Sequence, residues 1–372
     1  MNTPSPIPSS PERRRRPGRL GAIALAGALA LTAAACGDDE SDSTETTAAP
    51  APAETTAAPA PAADAADLAV VLLIGGPAND GGFYQAMVDG LQSGADSVGG
   101  ISVTVREKLA TGGDAALESA VREAAASGEF DLIVAHGFDL VPAIGKFSPE
   151  FPDQAFVTSL PVEGNPANAG VYLSVFEQIG YNAGFLASQG TTAKKIGFIG
   201  GPGLPFELAA EAGFREAVEK YAPGSDVQVV YTGTFEDPQL AQETAKQMID
   251  SGVDSIWNQQ AAGQSGVYTA CAQATEVNCF GNSPYSEAVN PEVVLASTSS
   301  AYEILVPLWA ERLRNDTWTS VPDFLNQANG GTAVTDATAA GSAKLPGLQA
   351  AIDAYRADIA AGKVTVTPVP PG

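Results

Sequence analysis

From residue 68 onward, the apolar residues of the chain fall into short runs that alternate with helical patterns. Residues 68–74 form an apolar run of strand length, after which Phe83, Met87 and Leu91 recur at helical spacing. Similar apolar runs follow at 101–106, 130–135, 155–159, 171–174, 195–199, 226–231, 255–258 and 278–280. Buried strands separated by helices predict parallel sheets with helices on both faces. Because the pattern restarts near Lys195, we predict two doubly wound α/β lobes whose ligand sites lie at the carboxyl ends of strands.

The first 36 residues have the pattern of a signal peptide. Five arginines lie between positions 13 and 19, and residues 20–35 are uncharged and rich in Ala and Leu. This uncharged run is short for a membrane span. Small residues before Cys36 resemble a bacterial lipobox, which predicts that Cys36 is lipidated and begins the mature chain. Ala33 stands where such motifs usually carry Leu, so an ordinary secretory signal with an incidental cysteine is the alternative.

Residues 37–67 have the composition of a tether. They hold acidic residues but no Lys, Arg or aromatic residue, and the nine residues 45–53 repeat identically at 54–62. Such a segment buries too little apolar area to offset the entropy lost on ordering, so we predict a disordered Ala/Pro/Thr tether. A lipid anchor followed by a tether places the globular body on the extracytoplasmic face of the cell membrane.

Charge and composition exclude several classes of function. The chain has 43 acidic and 19 basic residues, a formal net charge of −24, which argues against a nucleic-acid partner. His136 is the single histidine and there are three cysteines, which excludes a multi-histidine metal site and a four-cysteine zinc site. We therefore expect no metal and no cofactor. A hydrolase would need a nucleophile paired with a base, and the sequence shows no pattern of that kind.

Seven segments of the chain together carry a family resemblance. The segments are Asn79 to Gln85, His136 to Phe138, Glu177 to Gly184, Ile196 to Gly201, Glu211 to Phe214, Thr232 to Pro238 and Ile359 to Val364. Together they resemble the basic membrane protein family of substrate-binding lipoproteins, of the nucleoside-binding, PnrA-like type. They occur in the family's order and span nearly all of 68–372. Members of this family serve ATP-binding-cassette (ABC) importers, and the characterised members bind nucleosides.

The resemblance implies a type I periplasmic-binding-protein fold, in which two lobes are joined by three crossovers and the ligand lies between them. We place the crossovers near 160–175, 285–298 and 325–332. Lobe one would comprise 68–165 plus 298–325, and lobe two would comprise 166–297 plus 326–372. The partners implied are a small nucleoside-like solute and an ABC permease, with contact to the membrane through the N-terminal lipid only. We expect a monomer.

Candidate ligand-binding residues lie in the loops after the strands. Amide and carboxylate groups can hydrogen-bond a polar ligand, and aromatic rings can stack on a planar one. The predicted set is Asn79, Asp80, Phe83, Tyr84, His136, Gly137, Phe138, Phe206, Gln260, Gly263 and Asn282. Each group has a plainer alternative. Asn79 or Asp80 can cap the following helix, Phe83 can be a core residue, and His136 can be a loop histidine with a satisfied backbone bond.

Three positions depart from the pattern that the resemblance implies. Asn282 and Ser300 stand where nucleoside-binding relatives typically carry an Asp and a Lys that resemble ribose ligands. Ala210 stands where the family has an aromatic residue. Without the charged pair, the ligand would be held by neutral hydrogen-bonding groups, so a changed ligand is one interpretation.

Cys271 and Cys279 are eight positions apart, at the end of a predicted helix and the start of the next strand. Outside the cytoplasm, a disulfide is the natural prediction for such a pair. Two free buried thiols are the alternative.

These observations predict a lipid-anchored solute receptor rather than an enzyme. It would capture a small polar, nucleoside-like molecule by closure of its lobes and present it to a permease. Two alternatives use the same fold. One is a sensing receptor whose closed form is recognised by a signalling partner, and the other is an importer receptor for a non-nucleoside solute.

Overall fold

The computed structural model describes residues 67–274 and 276–369. The predicted signal peptide, Cys36 and residues 37–66 of the predicted tether lie outside this range. Within the described residues the chain forms two six-stranded sheets, each surrounded by helices. None of the helices in this part of the chain has an apolar stretch long enough to cross a bilayer.

The first sheet has the strand order β11-β5-β4-β3-β1-β2, and all of its neighbouring strands are parallel. Its strands are β1 (Leu68–Ile74), β2 (Ile101–Arg106), β3 (Leu132–His136), β4 (Ala155–Thr158), β5 (Ala169–Ser174) and β11 (Asp323–Leu325). Its helices are α1 (Phe83–Val98), α2 (Gly113–Ser127), α3 (Val141–Phe147) and α9 (Leu305–Arg314). We call this unit lobe one.

The second sheet has the order β12-β10-β9-β8-β6-β7, with β12 antiparallel to β10. Its strands are β6 (Lys195–Gly200), β7 (Asp226–Tyr231), β8 (Ser255–Asn258), β9 (Asn278–Gly281), β10 (Val294–Ser300) and β12 (Thr332–Val334). Its helices are α4 (Phe176–Gln189), α5 (Pro205–Tyr221), α6 (Pro238–Asp250), α7 (Gln264–Gln273), α8 (Ser286–Val289), α10 (Ala339–Lys344) and α11 (Leu348–Ala360). We call this unit lobe two.

Strand composition follows position in the sheet. The interior strand β1 is apolar throughout, and its alternate residues enter two different cores. One core lies under α2 and α3, and the other lies under α1 and α9. The edge strand β2 instead alternates apolar residues with the exposed Ser102 and Thr104, because one of its faces meets solvent.

Helices α4 and α5 of lobe two approach each other unusually closely. A Cβ on Gly180 would lie 1.8 Å from the Ala210 carbonyl oxygen, and one on Gly213 would lie 1.8 Å from the Glu177 carbonyl oxygen. Only glycine fits at these two positions. The contact accounts for two of the segments that carry the family resemblance, and it places Ala210 inside a helix–helix contact.

The chain crosses between the lobes three times. The first crossing lies between Ser174 of β5 and Phe176 of α4, and the second follows Ser300 of β10. The third lies between Leu325 and Thr332.

Two of the predicted lobe boundaries differ from this arrangement. Residues 169–174 join the first sheet, although the prediction assigned them to lobe two. Residues 298–300 complete β10 in the second sheet, although the prediction assigned them to lobe one. Both strands are apolar and buried at their starts, and the local pattern of such a strand carries no information about which sheet it joins.

Candidate functional site

A cavity of about 180 Å³ lies between the two lobes, at the carboxyl ends of the strands. We call it the interlobe cavity. Most of its lining is aromatic or aliphatic, and most of its polar groups are uncharged. From lobe one it is lined by Gly82, Phe83, Tyr84, Ala86, Phe138, Ser159, Leu160, Tyr172, Ser174 and Tyr302. From lobe two it is lined by Phe176, Ile179, Phe206, Phe235, Glu236, Trp257, Gln259, Gln260, Ala261, Asn282, Ser283, Pro284, Thr298 and Ser300.

The lobe-one wall is a set of rings supported from behind by His136. The Phe83 ring stacks on the imidazole with a centroid distance of 3.9 Å, and Phe83 is 41% exposed and lines the cavity. Tyr84 meets Phe83 edge to face at 5.3 Å. Tyr172 and Tyr302 lie edge to face beneath them.

His136 is fully buried and does not line the cavity. Its Nε2 lies 3.1 Å from the carbonyl oxygen of Phe83, and its Nδ1 is hydrogen-bonded to the Tyr172 hydroxyl. Because a carbonyl can only accept, we assign the proton to Nε2 and the donor role in the second bond to Tyr172. Burial lowers the pKa of His136 to about 3, so the imidazole is neutral at physiological pH. The structure therefore places His136 behind the aromatic wall, where it positions Phe83.

Asp80 and Asn79 also lie outside the lining. The Asp80 carboxylate accepts hydrogen bonds from the backbone N–H groups of Gly82, Tyr84 and Gln85 at 2.9–3.1 Å. This is the capping role that was the alternative to ligand binding, and it orients the first turn of α1, which carries Phe83 and Tyr84. Asn79 is exposed in the loop that precedes this cap.

The lobe-two wall is a second group of rings. Phe206, at the start of α5, stacks with Phe235 at 6.2 Å and packs against Phe176 at 4.8 Å. Trp257 closes the base of the cavity, where its indole N–H donates to the Gly281 carbonyl oxygen at 2.9 Å. Lobe one and lobe two therefore each present aromatic side chains to the same space.

Three buried polar atoms of lining residues have no hydrogen-bond partner among the residues that the structure describes. They are Oε1 of Gln259, Oε1 of Gln260 and Oγ1 of Thr298. The Gln260 side chain is fixed through its other end, because its Nε2 donates to the Gly200 carbonyl oxygen at 2.6 Å. Leaving a buried polar atom unpaired costs about 1–3 kcal/mol, so these atoms are natural contacts for a ligand.

Asn282 combines with Gln260 at the floor of the lobe-two side. Its Nδ2 donates to the Gln260 carbonyl oxygen at 2.6 Å. Gly263 is buried just outside the lining, where its N–H donates to the Phe235 carbonyl oxygen at 2.9 Å. Gly137 ends β3 with a φ of 128°, which turns the chain so that Phe138 reaches the cavity.

The two lobes touch beside the cavity as well as across it. The Gln264 side chain, at the start of α7, donates from Nε2 to the Gly81 carbonyl oxygen of lobe one at 3.4 Å. Its Oε1 accepts from Ser286 and Tyr268 within lobe two. Lobe one and lobe two are therefore in direct contact beside the interlobe cavity.

Cys271 and Cys279 form a disulfide that joins the end of α7 to β9. Their Cα atoms are 6.5 Å apart, and both residues belong to the core beneath α6 and α7. The bond ties down the helix whose first residue, Gln264, reaches across to lobe one.

Comparison with known proteins adds the family. The family model described as "ABC transporter substrate-binding protein PnrA-like" matches residues 68–281, more than half of the chain. The chain belongs to this PnrA-like family of ABC transporter substrate-binding proteins. The resemblance seen in the sequence is therefore confirmed.

Individual relatives agree with this assignment. A basic membrane protein of Borreliella burgdorferi is 41% identical over 93 residues, which cover 24% of this chain and 26% of the relative. A protein of Brucella abortus named as purine-binding is 27% identical over 188 residues, covering 50% of this chain and 52% of the relative. The chain spans about half the length or less of the curated relatives that it matches.

A solved structure confirms the predicted fold. The ABC transporter solute-binding protein of Conexibacter woesei is 30% identical, with a TM-score of 0.67, and the match covers 81% of this chain and 99% of that one. The type I periplasmic-binding-protein fold, with two parallel α/β lobes, is therefore confirmed for this PnrA-like protein.

Six of the eleven residues predicted for the site line the cavity in this family member. They are Phe83, Tyr84, Phe138, Phe206, Gln260 and Asn282. The other five, Asn79, Asp80, His136, Gly137 and Gly263, lie behind it or beside it. Of the three departures, Asn282 and Ser300 both line the cavity, whereas Ala210 is buried between α4 and α5. Phe206, one helical turn earlier, supplies the α5 aromatic ring instead.

Sequence reasoning missed several lining residues, and for some of them a signal was present. Phe235 lies within the Thr232 to Pro238 segment that carried the resemblance. Tyr172 and Ser174 end a strand that was assigned to the wrong lobe, so their position at a carboxyl edge was overlooked. Trp257 is buried within β8, and its sequence context is that of an ordinary core residue.

Proposed function

We propose that this protein captures a small, uncharged, nucleoside-like solute between its two lobes and presents it to an ABC permease. The observation that carries the proposal is the pairing of aromatic walls from both lobes with unpaired neutral polar atoms between them. The Brucella abortus relative named as purine-binding supports the same ligand class.

The walls suit a planar ring. Phe83 lines the cavity from lobe one, and Phe206 lines it from lobe two. Aromatic pairs are worth about 0.5–1.5 kcal/mol beyond the area that they bury. A flat heterocycle between the lobes would gain this on both faces, and only when the lobes are closed.

The polar groups suit a ligand that both donates and accepts hydrogen bonds. The oxygens of Gln259 and Gln260 can only accept, while the Thr298 hydroxyl can do either. Neutral hydrogen bonds contribute about 1 kcal/mol each. Specificity would therefore come from leaving these atoms unpaired when the wrong solute enters.

We further propose that lipid on Cys36 anchors the protein to the extracytoplasmic face of the cell membrane. This rests on the sequence pattern of residues 13–36. Its test is the location of Cys36→Ser in cells. The variant should move from the membrane fraction to the soluble one, or should retain its uncleaved leader. A variant that is processed and sediments like the parent protein would contradict the anchor.

The ligand is tested by thermal unfolding of the purified protein against nucleosides, nucleobases, pentoses and amino acids. A ligand that binds only the folded state stabilises it by about 2.7 kcal/mol at 100 times its dissociation constant. We expect an upward shift with purine or pyrimidine nucleosides. A shift with only pentoses or amino acids would mean that the aromatic walls hold another solute.

Phe206→Ala tests the aromatic wall, with Leu208→Ala as its matched control. Both positions are on the first turns of α5, but Leu208 is 50% exposed and lies outside the cavity. We expect Phe206→Ala to weaken nucleoside binding about tenfold by calorimetry, because one stacking partner is lost. Equal affinities for the two variants would rule out stacking on Phe206.

A further inference from the structure

The ionisable side chains around the interlobe cavity are acidic or phenolic. Among the described residues that line it, none is Lys, Arg or His, and the one carboxylate is Glu236. Glu236 belongs to lobe two, and it lines the cavity while being exposed to solvent, so we call its position the mouth of the cavity. Burial and the nearby negative charge of Asp80 raise its pKa. Asp80 belongs to lobe one, so the closed lobes bring like charges toward each other at the mouth.

The backbone sites that usually bind anions are already occupied by the protein's own carboxylates. In a doubly wound lobe, the free N–H groups at a helix start beside the cleft form a natural anion site. At α5, Glu207 accepts hydrogen bonds from the N–H groups of Gly201, Gly203 and Leu204, and its side chain is fully buried.

The protein's own carboxylates also occupy the backbone N–H groups at the start of two more helices. Asp80 takes three N–H groups at the start of α1. Asp237 accepts from the N–H groups of Gln239 and Leu240 at the start of α6, both at 3.0 Å. These three helices follow β1, β6 and β7, so their starts lie at the cleft edge of the sheets.

Within the described part of the chain, no compensating cation is found among the lining residues. His136 is neutral at physiological pH, and its ring nitrogens are engaged by Phe83 and Tyr172. Ser300, at the position where the family resemblance implied a lysine, carries only a hydroxyl. An anionic ligand group would lose its hydration shell without gaining a charged partner.

We propose that the interlobe cavity excludes anionic solutes, so that it accepts an unphosphorylated, uncharged ligand and rejects the phosphorylated or carboxylated form of the same molecule. The specificity-determining residue is Glu236, the one carboxylate among the described lining residues, while Asp80 and Glu207 occupy the backbone N–H groups behind the lining. This inference deepens the proposed function and rests on it. A nucleoside 5′-monophosphate should bind at least about 100-fold more weakly than its nucleoside, because like charges held together in a desolvated site are strongly disfavoured.

The test compares each nucleoside with its 5′-monophosphate by calorimetry on the purified full chain. Ribose with ribose 5-phosphate provides a second matched pair without a base. Glu236→Gln should reduce the ratio of nucleoside affinity to monophosphate affinity about fivefold, because it removes the charge at the mouth. Ser300→Lys should narrow it further, by about tenfold or more, because a cation is introduced into the lining.

Glu219→Gln is the matched control. Glu219 is exposed near the end of α5 and lies outside the lining, and the change alters net charge by the same amount as Glu236→Gln. Its ratio of affinities should stay that of the parent protein. A ratio that changes equally in both variants would show that overall charge, and not the local acids, sets the discrimination.

The outcomes separate the inference from the proposed function. If nucleoside and monophosphate bind alike, the proposed function stands and the exclusion of anions is wrong. If only the monophosphate binds, the exclusion is wrong and the proposed ligand must be revised. If neither binds, the nucleoside assignment falls. Mass spectrometry of the compound released from the purified protein then decides the exclusion, since a phosphate or carboxylate on that compound would overturn it.

Discussion

The neighbours of His136 and Asp80 set the roles of these two residues and keep both out of the cavity. His136 ends a strand at the edge of the cleft, where a histidine would be expected to meet the ligand. The packing of Phe83 over its ring and the hydroxyl of Tyr172 behind it instead remove the imidazole from both ligand and solvent. Asp80 likewise caps α1 and does not face the cavity.

The buried His136 should make stability depend on pH. Its pKa is about 3 when folded and about 6.5 when unfolded, so the unfolded state binds the extra proton between these values. The contribution of neutral, buried His136 to the free energy of unfolding is therefore complete above about pH 6.5. Below that pH it falls by about 1.4 kcal/mol for each unit of pH, down to about pH 3. Urea unfolding should show about 2 kcal/mol of this loss between about pH 7 and about pH 5.

The variant that isolates this effect is His136→Gln, which cannot titrate. It should be less stable than the parent at pH 7, yet lose about 2 kcal/mol less on acidification, because the remaining acids are unchanged. Equal losses in the two proteins would mean that other groups carry the pH dependence.

Two helices of lobe two pack against each other at positions where only glycine fits. Helices α4 and α5 approach at Gly180 and Gly213, with the backbone of each helix filling the place of the other's side chain. This contact fixes the start of α5, and with it Phe206, relative to the first crossing. The geometry of the aromatic wall thus depends on glycines outside the cavity.

Gly180→Ala should destabilise the protein by about 3 kcal/mol or more, because the added methyl group would overlap the Ala210 carbonyl. Gly347→Ala is the control, since a Cβ there meets nothing within 4 Å at the start of α11. Urea unfolding of both variants measures the difference. A loss at Gly180 no larger than at Gly347 would show that the two helices can separate at little cost.

At the scale of the whole molecule, the proposed function depends on how the two lobes are connected and where they touch. Three crossings connect them, and Gln264 joins them directly beside the cavity. Its amide oxygen is held by Ser286 and Tyr268, so the amide nitrogen is presented to lobe one. Gly82 leaves room for this approach, because a Cβ there would lie 3.1 Å from that nitrogen.

Gln264→Ala should speed ligand release about fivefold, because a hydrogen bond worth about 1 kcal/mol is lost from the closed form only. Association should change little, since the open form binds first. Ser265→Ala is the matched control on the same helix, because its hydroxyl bonds only to the local Ala262 carbonyl. Stopped-flow fluorescence separates the two rates. A slower association with unchanged release would contradict a role in holding the lobes closed.

The type and order of the elements could be predicted from the amino-acid sequence. Apolar strands alternating with amphipathic helices predict parallel sheets, since each pattern depends only on which faces a segment must bury. The family and fold followed from seven short segments and are confirmed. The aromatic residues Phe83, Tyr84, Phe138 and Phe206 could be selected from loop position together with the family resemblance, and all four line the cavity.

Which strand joins which sheet, and which side chains are in contact, could be read only from the folded structure. Strands β5 and β10 each continue a sheet past the predicted boundary, because pairing depends on neighbours far away in the chain. The same holds for His136, which lies behind Phe83 and not beside it, and for Gln264, which reaches the opposite lobe. A sequence pattern records whether a residue is buried. The partner that buries it is chosen by contacts between distant segments, and those contacts exist only once the chain has folded.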